Sequence, residues 1–231
     1  MLKNTNKIFF DDSINKISKD GKTLFSKSVI EILIENNLGY MIGRQQDPIH
    51  LNDIQPVLYD TKFWKKNDLF LSARELSLVL LYRPSTNKII WYQQFPWVFQ
   101  HDIDIISDKE IMIFNNNLEW SKTKVKDFNE INIYDFEKDK TYNILQMILK
   151  KLDISTKSEG LIDKIGNYFM IEETNSGRII ILDENKEILT YINNEYENNE
   201  IYTLNWSRYL GEDFSSIVNE IKLKRKDCEN N

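Results

Sequence analysis

Several residue types and patterns are scarce in this chain, and each scarcity removes a class of answer. The one cysteine, Cys228, sits in a polar tail, so neither an internal disulfide framework nor a multi-cysteine zinc site can be built. Two histidines, His50 and His101, exclude a histidine-rich metal cage. Glycine stands at 7 residues and asparagine at 25, so the turns are expected to rest on Asn and Asp, which tolerate left-handed backbone. No apolar run exceeds Leu78–Tyr82, far short of the ~18 residues of a membrane helix. The opening MLKNTNKIFFDDS lacks the apolar centre of a signal peptide, so no address is read and localisation stays unassigned. A Gly-x-Ser-x-Gly elbow, a phosphate loop and a Gly-rich dinucleotide turn are all missing, which leaves a serine hydrolase and a nucleotide-binding protein without support. Positive charge is also short: 30 basic against 36 acidic residues give a net charge of −6, a poor balance for gripping nucleic acid by its phosphates.

What the chain does have is the balance of a soluble globular protein, 41% hydrophobic and 29% charged. Its aromatics, at 12%, recur at the ends of apolar alternations, which favours sheet. One pattern returns four times: an alternating apolar run, a polar turn ending in Lys, and a second apolar run. The copies are Ile14–Phe25, Leu78–Tyr92, Ile131–Leu145 and Ile179–Ile192, with turn lysines Lys22, Lys88, Lys140 and Lys186. Each reads as a β-hairpin. Two more strand-like runs precede each later copy: His50–Tyr59 and Asp68–Arg74, then His101–Ser107 and Glu110–Asn116, then Glu159–Gly166 and Tyr168–Thr174. Four strands every ~40–50 residues are the mark of a β-propeller blade.

The expected fold is therefore all-β: four-stranded antiparallel blades at about residues 50–94, 97–146 and 157–192, within one unit spanning 1–222. Helix is expected only near 26–37, where Ser28-x-x-Glu31 fits a capping box, and near 213–222. Residues 223–231 read as a disordered polar tail. The two incomplete ends leave two options. They combine into a fourth blade, or the chain is a three- to four-blade arc of a larger propeller whose first blades are absent, which is the reading preferred here. An open arc exposes an apolar blade face, so self-association is expected.

The repeat also selects candidate site residues. His50 and His101 open the first strand of successive blades, so their rings are expected at one rim of the channel. Arg74, the Asn115–Asn117 run, and Glu172 with Glu173 end the second strands and form a polar ring. For Arg74 the competing reading is a surface pair with Glu75 or Asp68. Trp91 and Trp97 read as core between blades, with Trp97 alternatively walling a substrate site. The stretch Ser121–Asp127 reads as a solvated insertion, and Cys228 as inert.

The run from Asp47 to Trp91, followed by Phe95–Asn117, resembles the arylsulfotransferase family of β-propellers. The recurring pattern is carried by His50 and Asn52, Ser72 and Arg74, Lys88–Trp91, Gln100–Asp102 and Phe114–Asn116; Ser176–Asn193 and Tyr202–Leu210 resemble the family's last blade. Each motif is weak alone, while their order and spacing over residues 7–210 are more specific.

The resemblance implies transfer of a sulfuryl group from a phenolic sulfate ester to another phenol, without a nucleotide donor, cofactor or metal. It implies His101 as the nucleophile, with His50 and Arg74 as its catalytic companions. Asn52 and Asp102 are then candidates to hold an imidazole tautomer, Asn116 to line the substrate site, and Trp97 or Phe99 to stack on the aryl ring. The implied partners are an aryl sulfate and a phenol. One departure is serious: catalytic members carry a further histidine in an earlier blade, and nothing before His50 supplies it. The family's N-terminal blades, and the signal or membrane anchor that usually precedes them, are also missing from this sequence. A non-catalytic propeller that binds a small anionic or aromatic ligand, or a protein partner, stays open beside the enzyme.

Overall fold

Period-two alternation with apolar residues on both faces shapes most of this chain. The computed structural model describes residues 9–122, 124–192, 200–211, 214, 216–219 and 221. It opens with a hairpin, β1 (Ser13–Ile17) and β2 (Thr23–Ser28), and a helix α1 (Val29–Glu35). Three four-stranded antiparallel sheets follow, each pairing its strands in chain order. The first holds β3 (Leu51–Pro56), β4 (Leu69–Ala73), β5 (Leu78–Arg83) and β6 (Lys88–Gln94). The second holds β7 (Asp102–Ile105), β8 (Glu110–Asn115), β9 (Glu130–Asp135) and β10 (Lys140–Ile144). The third holds β11 (Leu161–Ile165), β12 (Tyr168–Glu173), β13 (Arg178–Leu182) and β14 (Glu187–Ile192).

The registers repeat: Ile54–Leu71–Leu80–Tyr92, Ile103–Ile113–Asn132–Asn143 and Ile162–Ile171–Ile180–Thr190 are equivalent rows across the three sheets. The innermost strands β3, β7 and β11 pack in succession, so the sheets are blades of a β-propeller arranged as an open arc.

Packing follows from the alternation. Phe70, Val79 and Leu81 meet Ile103, Ile111 and Ile113 between the first and second blades. On the opposite faces, Met112, Phe114, Ile131 and Ile133 meet Ile162, Ile171, Ile180 and Leu182 between the second and third. The other face of the first blade, through Leu71, Leu78, Leu80 and Tyr82, is covered by Ile14 and by Val29, Ile32 and Leu33 of α1. Burial of both faces is what face-to-face stacking of sheets demands.

The turns confirm the residue economy. The residue before the turn lysine has positive φ in three hairpins: Gly21 (80°), Asn87 (53°) and Asp139 (51°). In the fourth, Asp183 Oδ1 instead accepts from the backbone N of Asn185 and Lys186.

Adjacent blades are also tied by a recurring polar bond. Asp12 Oδ2 accepts from Leu51 N at 2.8 Å, Asp53 Oδ2 from Ile103 N at 3.0 Å, and Asp102 Oδ2 from Ile162 N at 2.8 Å. Each carboxylate thus reaches the innermost strand of the blade that follows.

The helix expected near 26–37 forms at Val29–Glu35, after β2 has run through Ser28, and Ser28 is its cap, Oγ accepting from Glu31 N at 3.1 Å. Two expectations are corrected. A further helix, α2 (Gln146–Lys151), buries Ile148 and Leu149 between the second and third blades, so helix is not confined to the two stretches expected. The Ser121–Asp127 stretch is not wholly solvated, since Val125 bridges to Leu118 and packs with Val98 and Phe99. Near 213–222, residues 214, 216–219 and 221 are helical. The tail 223–231, with Cys228, lies outside the described residues. Among the described residues no helix is long and apolar enough to cross a membrane.

Candidate functional site

The position just before the innermost strand is the place where the repeat puts chemistry. His50 precedes β3, His101 precedes β7 and Gly160 precedes β11. His101 N donates to Phe114 O at 3.0 Å, which fixes the residue at the strand end. Its side chain is almost fully buried, at 8% exposure, and Nδ1 has no hydrogen-bond partner among the described residues. Burial first, then the charges of Arg74 and His50, push the imidazole down to about 4, with the Gly160 backbone and Glu172 opposing. The ring is therefore neutral at neutral pH, and neutral imidazole carries a nucleophilic lone pair.

Gly160 must be glycine. Its φ is 95°, and a Cβ there would lie 2.5 Å from the Phe114 ring and 2.9 Å from Thr156 Cγ2. Beside His101 lies a pocket of about 200 Å³, lined by Asn52, His101, Glu159, Gly160, Glu172, Thr174, Asn205 and Trp206.

The cationic groups are set apart from that lining. Arg74 follows β4 in a 3-10 turn (Arg74–Leu76) closed by Ser77 at φ 48°. Its guanidinium lies 5.4 Å from the Phe99 ring centroid and 3.7 Å from Glu75. Lys122 also faces the Phe99 ring, at 5.1 Å, and pairs with Glu75. Asp68, the other partner considered for Arg74, instead takes Arg83 in a two-pronged bond at 2.8 and 2.7 Å. His50 has φ 51°, and its Nδ1 is 2.5 Å from Asp47 Oδ2, which orients the ring. Arg74 N donates to His50 O at 3.1 Å. That bond sets Arg74 beside His50 where β3 and β4 meet.

The remaining candidates fall into different places. Asn52 lines the pocket; its Nδ2 donates to Gln100 O at 3.0 Å and its Oδ1 is buried without a partner among the described residues. Asn116 does not line it. Its Nδ2 donates to Glu159 O at 2.8 Å and Thr156 O at 3.3 Å, so it shapes the loop that supplies the pocket wall. Asp102 is engaged between blades, its Oδ2 accepting from Ile162 N, and among the described residues it makes no hydrogen bond to His101 Nδ1. Trp97 is no substrate wall either: it is fully buried with Phe70, Val79, Ile103 and Ile111, where its apolar bulk joins the first two blades. Trp91 lies between the same blades, its Nε1 donating to Tyr134 Oη at 3.2 Å.

Glu159, Gly160, Thr174, Asn205 and Trp206 are pocket residues that the sequence reading did not single out. The repeat held a signal for Gly160, which occupies the slot of His50 and His101. Among the described residues no group of three or more His, Cys, Asp or Glu side chains is placed to hold a metal ion.

No curated protein matches the chain. Among solved structures, one described as "Structure of Dos1 propeller" is similar at a TM-score of 0.46 and 10% identity, covering 80% of this chain and 44% of that one. This chain therefore spans less than half the length of that structure. The family model described as Arylsulfotransferase (ASST) matches residues 2–195, and with most of its length so covered, the chain belongs to the arylsulfotransferase family.

Proposed function

We propose that this chain handles phenolic sulfate esters, with His101 taking the sulfuryl group. The observation that carries the reading is the neutral, nearly buried imidazole of His101, with Nδ1 free of hydrogen bonds among the described residues, under the charge of Arg74 and lining a pocket. A ring nitrogen attacks sulfur. The N–S bond forms as the S–O(aryl) bond breaks, its electron pair leaving on the phenolate, which takes a proton from water. In the return step a phenol oxygen attacks sulfur, the N–S pair goes back to the ring, and the phenol's proton passes to the imidazole or to solvent. Splitting the transfer this way replaces one hard step with two easier ones. Arg74, fixed and partly desolvated, supplies charge stabilisation near sulfuryl oxygens. His50, held by Asp47 and joined through its carbonyl to Arg74 N, supplies a second donor.

One observation favours a second reading. Among the described residues the pocket lining carries two carboxylates and no lysine or arginine, a surface suited to holding an uncharged aromatic ligand without turnover. Incubation with 4-methylphenyl sulfate followed by peptide mass spectrometry separates the two. Sulfuryl mass on the His101 peptide, absent in His101→Ala, supports transfer. Binding of an aromatic ligand with no mass on any histidine supports the non-catalytic module.

A further inference from the structure

We infer that the groove between the first hairpin and the first blade binds a single-chain amphiphile with an anionic head, in the simplest case an alkyl carboxylate. The groove has its origin in a mismatch of strand number. Between successive blades, four strands stack on four. Ahead of the first blade stands a hairpin of two strands, β1 and β2, helped by the seven residues of α1. These cover Leu71, Leu78 and Leu80 but leave the end of β3 and the start of β4 partly open. Ile54 and Pro56 are two apart on β3, and Leu69 pairs with Pro56, so all three share the face that meets the hairpin. Across the gap Ile14 and Lys16 are two apart on β1, and Phe25 pairs with Lys16. Leu24 and Leu58, both more than half exposed, complete the apolar walls.

The resulting volume is about 580 Å³, within the ~300–1,000 Å³ of small-molecule sites. The groove lies away from His101. β3 starts beside His50 and ends in the groove, and β4 starts in the groove and ends at Arg74. Its wall is fixed by the loop after β3. Val57 N donates to Asp68 O and Asn67 N to Val57 O, both at 2.9 Å, with Asn67 at φ 71°. Lys66 N donates to Asp60 Oδ1 at 2.7 Å.

Charge names the head group. Lys16 and Lys66 line the groove, and no Asp or Glu does so among the described residues. Neither ammonium is ion-paired among those residues. In a chain of net charge −6 this is a local reversal of sign, and it selects a negative head on an apolar tail. The exposed lining falls well short of the ~800 Å² per partner of a standard protein interface, so a second copy is the poorer occupant.

The test is calorimetric titration of the full chain with octanoate and decanoate, each below its micelle concentration, beside decyltrimethylammonium. Decanoate should bind saturably at one site. Octanoate should bind roughly five- to fifteenfold more weakly, the effect of withdrawing two methylenes from apolar contact, and the cationic amphiphile should not bind. Replacing both lysines, Lys16→Gln with Lys66→Gln, should weaken decanoate by roughly three- to tenfold and remove most of its salt dependence. Leu58→Asp, at a well-exposed position where the fold is indifferent, should weaken decanoate at least as much. No saturable binding of decanoate, equal affinity for octanoate, or equal affinity for the cation would each overturn the inference. Decanoate affinity unchanged in both variants would place the ligand elsewhere and overturn it too. So would a dimer that Leu58→Asp dissolves and decanoate leaves intact, since the groove would then belong to a second copy.

Discussion

His101 differs from His50 only in its surroundings, and the difference sets its chemistry. His50 is half exposed and bonded to Asp47, while His101 is nearly buried, lines a pocket together with Gly160 and feels the charge of Arg74. With its ring held near 4, His101 is neutral across the physiological range, so labelling by an aryl sulfate should be independent of pH between about 6 and 8 and should fall only as pH drops toward 4. A rate that halves near 6.5, the ordinary imidazole value, would mean that the ring is not desolvated as described. The histidine pair was legible in the sequence because the repeat marks its place. The place of Trp206 in the pocket was not, because its run repeats nowhere. The misplacement of Asp102 has a similar origin. Its position next to His101 suggested a tautomer partner, but along a strand successive side chains point to opposite faces.

The strands themselves were plain from alternation and from Asn- and Asp-based turns, since Leu78–Tyr82 and Ile111–Phe114 bury both faces as stacked blades require. The helix α2 was hidden because its six residues hold only one apolar run, Met147–Leu149, too short to show a helical period. The carboxylate ties between blades were hidden because an acid near the start of a strand looks like ordinary solvated polarity. These ties have a measurable weight. Asp102→Ala leaves the buried Ile162 N without an acceptor and should lower stability by about 1–3 kcal/mol in urea denaturation. Asp102→Asn keeps a carbonyl oxygen at the same place and should cost less. Equal losses for the two variants would show that the bond is not what Asp102 contributes.

Across the arc, Asp53 and Asp102 crowd with Asp104 along the innermost strands. Burial raises Asp53 to about 6 and Asp104 to about 7, neighbouring acids adding to the effect on Asp104, and it raises Asp102 well above the usual range. For an acid raised in the folded state, stability is greatest below the unfolded pKa and is lost as pH climbs through the folded one. His101 has the opposite sign: its contribution is full above about 6.5 and is lost as pH falls toward 4. Between pH 6.5 and 8 the carboxylates act without that opposition, so Tm should fall across this window and Asp104→Asn should flatten the fall. A Tm that rises from 6.5 to 8 would contradict the buried-carboxylate description. The order of the blades was readable from the sequence, while the pocket was not, because it is assembled from loops of different blades and the segment at 200–211. The account turns on His101 as a way station for sulfuryl, and a chase experiment reaches that claim most directly. The chain is exposed to 4-methylphenyl sulfate, freed of it by desalting, and then given a different phenol. Loss of sulfuryl mass from the His101 peptide with matching appearance of the new aryl sulfate is the predicted result. A His101 peptide that never gains the mass, or that keeps it while phenol is present, would contradict the account.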